Sequence, residues 1–266
     1  MSGDWSARWR ALHAAASRDE RQVDDRWRER AARFDRLART GDPEGLDALG
    51  AGLLATDALL DVGAGTGRHA VPLAARCARV VAVEPSRAMR ERLMARVAEA
   101  RAPVQIVEGT WPCEVERVDV AISCHVLYGV ADAAPFLSAM TAATRRTCRL
   151  LLGLRAPTDA LAPLWRALHG VDRPLRPAAR EAQALLLHLG HPATLRVLPS
   201  DRRLSFERSP EDLDELCRRT RVDATAEGRA RVTAALDALG AERSREGGWD
   251  LGPTGDTALI EWPGAG

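Results

Sequence analysis

The stretch Ala58-Leu59-Leu60-Asp61-Val62-Gly63-Ala64-Gly65-Thr66-Gly67 decides the fold. An apolar run of strand character ends in alternating glycines, and the following segment, Arg68 to Cys77, has the composition of a helix. Glycine supplies the positive φ of a tight turn and lets a ligand approach the backbone without meeting a Cβ. The expectation is a strand, a glycine loop, and a helix that starts beneath a bound ligand. Dinucleotide-binding loops read G-x-G-x-x-G, with the third glycine inside the helix and a pyrophosphate at its N-terminus. Here that third position is Arg68, the glycines stand at 63, 65 and 67, and Asp61 precedes them. A carboxylate in that place repels a pyrophosphate and tolerates a cation, so a positively charged nucleoside fits better.

Downstream, Val80-Val81-Ala82-Val83 is a β-branched run ending in Glu84, 17 residues beyond Gly67 (84 − 67). An acid at the tip of a second strand can accept both hydroxyls of a ribose. The segments Asp61–Gly67 and Val80-Val81-Ala82-Val83-Glu84-Pro85-Ser86 together resemble the first two motifs of class I S-adenosylmethionine-dependent methyltransferases. The resemblance covers residues 45–155 well and the remainder loosely. It implies a Rossmann-like, doubly wound α/β fold with a mostly parallel seven-stranded sheet. It also implies S-adenosyl-L-methionine as cofactor and S-adenosyl-L-homocysteine as product, with Asp61, Gly63, Ala64, Gly65, Gly67, Glu84 and Pro85 around the ligand. The loop Glu108-Gly109-Thr110-Trp111-Pro112 would flank the adenine and Ser123-Cys124-His125 would face the same crevice, at the carboxyl ends of the strands. Gly109-Thr110 departs from the family, which often has an acidic residue there. Trp111 reads either as a π-face for the adenine or as a tryptophan capping the sheet edge.

Around these motifs, strands are expected at 58–62, 79–83, 103–107, 118–123 and 148–154, with helices at 67–77, 86–100 and 132–145 between them. Such alternation means a parallel sheet covered on both faces. Pro72 sits inside the first of these helices and must delay its start or kink it. Ser86 stands at an N-cap, and Met89, Leu93 and Val97 form a buried stripe. Residues 1–54 read as an N-terminal helical cap, with Asp42-Pro43 opening a helix through about Leu54. Trp27 and Phe34 in that segment are either a lid over the pocket or simple packing, packing being the preferred reading. Residues 55–266 read as the methyltransferase domain. Helices are expected at 159–169 and 177–189, β-prone runs at 193–198 and 204–207, and a last strand at 257–262. A helical insertion at 209–240 opens on Ser209-Pro210-Glu211-Asp212, a capping box.

Composition narrows the chemistry. The 266 residues contain no lysine and no asparagine, so all 38 basic residues are arginine. Schiff-base lysines, Walker loops and N-glycosylation acceptors are excluded. Also missing is the Asn-Pro-Pro-aromatic segment with which many methyltransferases hold an exocyclic base amine; Ser123-Cys124-His125-Val126-Leu127-Tyr128 stands in its place. A formal net charge of +1 gives no global attraction to nucleic acid or an anionic membrane, and no apolar run reaches spanning length. The five cysteines lack C-x-x-C spacing, which favours reduced thiols over a metal site. A cytoplasmic enzyme acting on a small-molecule acceptor, with neither nucleic acid nor membrane as partner, is the expectation; no pattern assigns an oligomeric state.

Methyl transfer from a sulfonium needs an in-line nucleophile and little else, because the donor is already activated. A neutral hydroxyl, thiol or ammonium acceptor must also lose a proton. His125, with an ordinary pKa near ~6.5, is the candidate base, and Tyr128, the only tyrosine, the candidate orienting group. A residue that merely hydrogen-bonds cofactor or backbone at the strand end is the preferred reading of His125 over the base. Two other functions stay open: a cofactor-binding subunit that transfers no methyl, and a nicotinamide-dependent oxidoreductase, which Arg68 and Asp61 disfavour.

Overall fold

The structure, a computed structural model, describes residues 3–17, 27, 31–39, 43–200, 203–240, 242–243 and 248–266. Its seven-stranded sheet has the order β3-β2-β1-β4-β5-β10-β6. The strands are β1 (Ala58–Val62), β2 (Arg79–Glu84), β3 (Val104–Glu108), β4 (Val118–Cys124), β5 (Thr144–Gly153), β6 (Thr194–Leu198) and β10 (Thr257–Pro263). Strands β1 to β5 pair in parallel, while β10 runs antiparallel to both β5 and β6. This is the doubly wound, mostly parallel sheet expected from the motifs.

Burial explains the unbroken apolar runs. Every residue of β1 is buried, and the pleat sends Leu60 and Val62 to one face and Leu59 to the other. On the first face lie Val81, Leu150 and Ile260, covered by helices α6 (Ala133–Ala143), α8 (Ala179–His188) and Trp9 of α1 (Trp5–Ser17). On the second lie Val80, Ile122 and Leu259, covered by α3 (Pro43–Gly50), α4 (Ala70–Leu73) and Leu93 of α5 (Arg87–Ala100). Helix α2 (Ala31–Arg39) contacts α5, where buried Asp35 faces Arg92 and Arg96 at 3.9 and 3.7 Å.

Local chemistry sets the helix ends. The helix expected at 67–77 starts only at Ala70 and continues as a 3-10 turn over Ala74–Arg76, which places Pro72 in the first turn, where its missing N–H is tolerated. Ser86 caps α5 by accepting from the Met89 amide at 3.3 Å. Helix α3 ends at Gly50, earlier than the expected Leu54, and the Asp42 cap lies outside the described residues.

Between β6 and β10 the chain forms more than helices. A second sheet of order β7-β9-β8 joins β7 (Arg203–Phe206), β8 (Glu242–Arg243) and β9 (Trp249–Pro253), while α9 (Pro210–Thr220) and α10 (Ala226–Ala238) occupy the span expected to be helical. Residues 209–240 hold only these two helices, and β7 falls at the β-prone run expected at 204–207; β8 and β9 are the strands the sequence did not announce. Strand β9 carries Gly252 and Pro253, which break its alternation, and it pairs with the distant β7 and with the two-residue β8. Phe206, Leu216, Val232 and Trp249 form a third cluster with Leu161 and Leu164, the latter from α7 (Ala162–His169).

Candidate active site

Strands β1 and β2 deliver the glycine loop and the acid to one spot. The amides of Gly63 and Ala64 donate to the Val83 carbonyl at 2.8 and 3.1 Å, which bends the chain off β1 toward the tip of β2. Gly63, Gly65 and Gly67 have φ of 75, 58 and 82°, in the region that favours glycine. Their surroundings differ. A Cβ at Gly63 would stand 2.5 Å from Val126 and one at Gly67 2.5 Å from Leu93, so these two permit close packing within the protein. At Gly65 the nearest atom is Phe34 Cε1, at 3.8 Å. Gly65 is therefore the glycine whose open side a ligand can reach, and Phe34, edge-on to Trp27 with centroids 5.4 Å apart, lies over it.

Glu84 locks to this loop. Its Oε2 accepts from the Gly65 amide and its Oε1 from the Ser86 amide, both at 2.8 Å. Arg90, which the sequence reading passed over as one more helical arginine, secures the same corner. It is buried, donates to the carbonyls of Glu84 and Pro85 at 3.0 and 2.7 Å, and pairs with Glu108 at the end of β3. Its position one turn into the helix after the acid was the only signal in the sequence.

Asp61 is 1% exposed, and its Oδ2 has no hydrogen-bond partner among the described residues. Burial first, and the Glu84 charge second, push its carboxyl up to about 7, against the opposing Ala70 amide. A carboxyl raised in the folded state holds its proton more tightly than in the unfolded chain. Its ionisation therefore lowers stability as pH rises from the ordinary carboxylate range to about 7, and the full loss persists above. Asp61→Asn is expected to raise the melting temperature relative to the parent at pH 8, with the gain shrinking toward pH 4. Thermal melts across that range check this, and an equal gain at both ends would contradict it.

The second strand end holds His125 and Tyr128. Ser123 is buried and donates from Oγ to the Val62 carbonyl at 2.9 Å, which ties β4 to β1 rather than pointing to a ligand. His125 has φ of 59°, unusual for a residue with a side chain, and its amide donates to Leu151 at 2.8 Å. Its Nδ1 lies 3.4 Å from the Tyr128 hydroxyl, and the rings stack with centroids 6.1 Å apart. The Tyr128 oxygen accepts from the Gly153 amide at 2.5 Å. Burial drives the Tyr128 phenol well above its ordinary pKa, and the Asp159 charge adds to the rise against the Gly153 amide. Tyr128 thus stays neutral at physiological pH and can orient a neighbour without exchanging its proton.

The third loop divides. Thr110 is exposed and Gly109 half-buried, but Trp111 is 8% exposed, packs edge-on against Phe136 and donates its indole N–H to the Phe136 carbonyl at 3.0 Å. The Trp111 indole is thus held against α6. The five cysteines are free thiols. Among the described residues no group of three or more His, Cys, Asp or Glu side chains is arranged to hold a metal, and no helix is long and apolar enough to cross a membrane.

Comparison with known proteins agrees with this geometry. Residues 60–152, from β1 through β5, match a family model described as a methyltransferase domain. No curated protein sequence matches the chain. Among solved structures, YcgJ of Bacillus subtilis shares 15% identity and a TM-score of 0.56 over 83% of this chain and 97% of its own. BH2331 of Bacillus halodurans C-125 shares 14% and 0.54, over 88% and 98%. Magnesium protoporphyrin IX methyltransferase (ChlM) of Synechocystis PCC 6803, solved with bound SAH, shares 12% and 0.52, over 97% and 94%. At these identities the structures speak for the fold alone. Sheet order, glycine loop, strand-end acid and family match point one way: residues 60–152 match a methyltransferase domain and lie in a doubly wound, Rossmann-like sheet.

Proposed function

We propose that the protein binds S-adenosylmethionine across the ends of β1 and β2 and transfers its methyl group to a small-molecule acceptor near the end of β4. The observation that carries this reading is the 2.8 Å bond from the Gly65 amide to Glu84, which makes loop and acid a single cradle. The donor set suits a cationic nucleoside. Asp61 Oδ2 is buried without a hydrogen-bond partner among the described residues, an acceptor suited to an ammonium group. A carboxylate can accept about four hydrogen bonds, so Glu84 can hold two amides and still receive ribose hydroxyls. Gly65 leaves room for backbone approach, Gly109 and Thr110 would border the adenine, and Phe34 would close over the sugar.

When bound, the cofactor supplies a methyl group already activated on sulfur. What the chain must add is alignment, which contributes up to roughly 7–11 kcal/mol in favourable cases. His125, held in a left-handed conformation at the strand end, would take the proton of a neutral acceptor, with Tyr128 fixing its ring. The formal charge of +1 supports a small acceptor over a polyanion, and free thiols fit a reducing, cytoplasmic setting.

Calorimetry with S-adenosylhomocysteine tests the reading, NAD serving as the control. Binding of the first and not the second is expected. A cation beside Asp61 favours its ionised form, so cofactor binding below about pH 7 should release a proton and weaken as pH falls. Titrations with S-adenosylmethionine at pH 6 in buffers of different ionisation enthalpy detect that proton. An apparent enthalpy that ignores the buffer would count against Asp61 as the ammonium partner, and NAD binding without S-adenosylhomocysteine binding would overturn the function.

A further inference from the structure

Two acids stand side by side where β2 and β3 end. Glu84 and Glu108 are register partners at the last positions of the two strands. Neighbouring strands lie about 4.8 Å apart, so two carboxylates so placed repel unless a cation takes one of them. Their surroundings differ. Glu84 is 5% exposed and accepts from the Gly65 and Ser86 amides, both at 2.8 Å. The Glu108 side chain is 76% exposed, and its Oε1 meets Arg90 Nη2 at 2.5 Å.

Arg90 reaches both strand tips from α5. Its own amide donates to the Ser86 carbonyl at 3.0 Å in the opening turn, and helical side chains lean toward the N-terminus, which brings the guanidinium back over the end of β2. There Nη1 donates to the carbonyls of Glu84 and Pro85 at 3.0 and 2.7 Å, while Nη2 holds Glu108. One planar, rigid group thus fixes the backbone that carries Glu84 and engages the competing acid.

Stability alone gives little reason for a cation at this place. Arg90 is 8% exposed and lies near the N-terminus of α5, where the helix dipole opposes positive charge. A buried charge also costs desolvation that a well-packed apolar side chain avoids. What the guanidinium adds is direction, because its three contacts fix the position of Glu84 relative to both β3 and the start of α5.

We propose that Arg90 is a positioning residue for the cofactor: it aims the Glu84 carboxylate at the ribose hydroxyls and keeps Glu108 away from them. The inference rests on the methyltransferase reading and adds a residue that sets how strictly the ribose is read.

The test titrates the full chain by calorimetry with S-adenosylhomocysteine and with its 2′-deoxy analogue, which lacks one of the two hydroxyls. A charge-assisted bond from that hydroxyl gives the parent a preference for S-adenosylhomocysteine of at least about tenfold. In Arg90→Met the preference should fall to about threefold or less, and in Glu108→Ala, at an exposed position, to less than half of the parent's. A loss of packing alone would lower stability and leave this ratio unchanged, so the ratio separates positioning from a merely structural role. A preference that stays above half of the parent's in folded Arg90→Met overturns the inference. Should Arg90→Met fail to fold, Glu108→Ala decides by the same criterion. A parent that binds both ligands equally overturns the inference as well and leaves cofactor binding intact, whereas a parent that binds neither removes the methyltransferase reading and this inference together.

Discussion

Glu84→Ala is expected to weaken S-adenosylhomocysteine binding by at least about a hundredfold in calorimetry, while the protein remains folded. Two ribose hydroxyls donating to a carboxylate are charge-assisted bonds, each contributing roughly 1.5–3 kcal/mol. Their joint loss corresponds to about two to four orders of magnitude in affinity. The substitution also frees the Gly65 and Ser86 amides, each held at 2.8 Å, so the loop loses its grip on β2. Folding should survive, because Ser86 still caps α5 through Met89 and Arg90 still bridges to the Glu84 carbonyl. Glu84→Gln gives the graded control. An amide offers one acceptor oxygen and turns the other position into a donor, so one amide contact is kept and the rest disturbed. Intermediate affinity is the expected result. Binding within threefold of the parent in Glu84→Ala would mean that the acid serves the loop alone and that the ribose is held elsewhere.

The central sheet was legible because its information is local. The apolar runs at 58–62 and 79–84 are bounded by turn residues, and Ser86, Pro72 and Ser209 act within a turn of where they stand. Of the second sheet only β7 was legible; β9 was not, since Trp249–Pro253 forms a strand through partners at 203–206 and 242–243, and its alternation is broken by glycine and proline. The length of α3 was overrun as well. The stop lies in Gly50-Ala51-Gly52, with Gly52 at a φ of 66°, and the freed carbonyls of Leu49 and Ala51 are taken up by Arg149, about a hundred residues away.

In the site, the residues that touch through the backbone were readable and those that act through burial were not. Asp61, Gly65 and Glu84 stand together as their spacing implies, because a glycine loop and the neighbouring strand tip can meet in only one way. Trp111 could be read two ways because its surroundings come from Phe136, in a helix that sequence spacing does not place beside it.

Arg149→Met should be the most damaging single change to stability, because it strikes the joint where the N-terminal helices meet the sheet. Residue 149 lies mid-strand in β5, opposite Ile122 on one side and Glu261 on the other. Its side chain is buried and makes three bonds, from Nη1 to Leu49 at 2.6 Å, from Nη2 to Ala51 at 2.6 Å and from Nε to Glu261 at 2.9 Å. The two carbonyls belong to the end of α3, where helical oxygens have no partner of their own and where a cation also complements the helix dipole. Methionine keeps the apolar stem and leaves both carbonyls and the carboxylate unanswered. Leaving the two carbonyls unsatisfied costs about 1–3 kcal/mol each, and loss of the ion pair to the half-buried Glu261 adds less. For a chain of this length that is a fall in melting temperature on the order of 10 °C. Arg149→Lys should recover only part of it, since a single ammonium cannot span three acceptors in the guanidinium plane. At 20 °C the folded variant should bind S-adenosylhomocysteine within about threefold of the parent, the reverse of the Glu84→Ala pattern, because none of the three contacts touches the glycine loop. A loss of less than about 1 kcal/mol in denaturant titration would show that α3 is held by its apolar face, through Leu49, and that the guanidinium only decorates the contact.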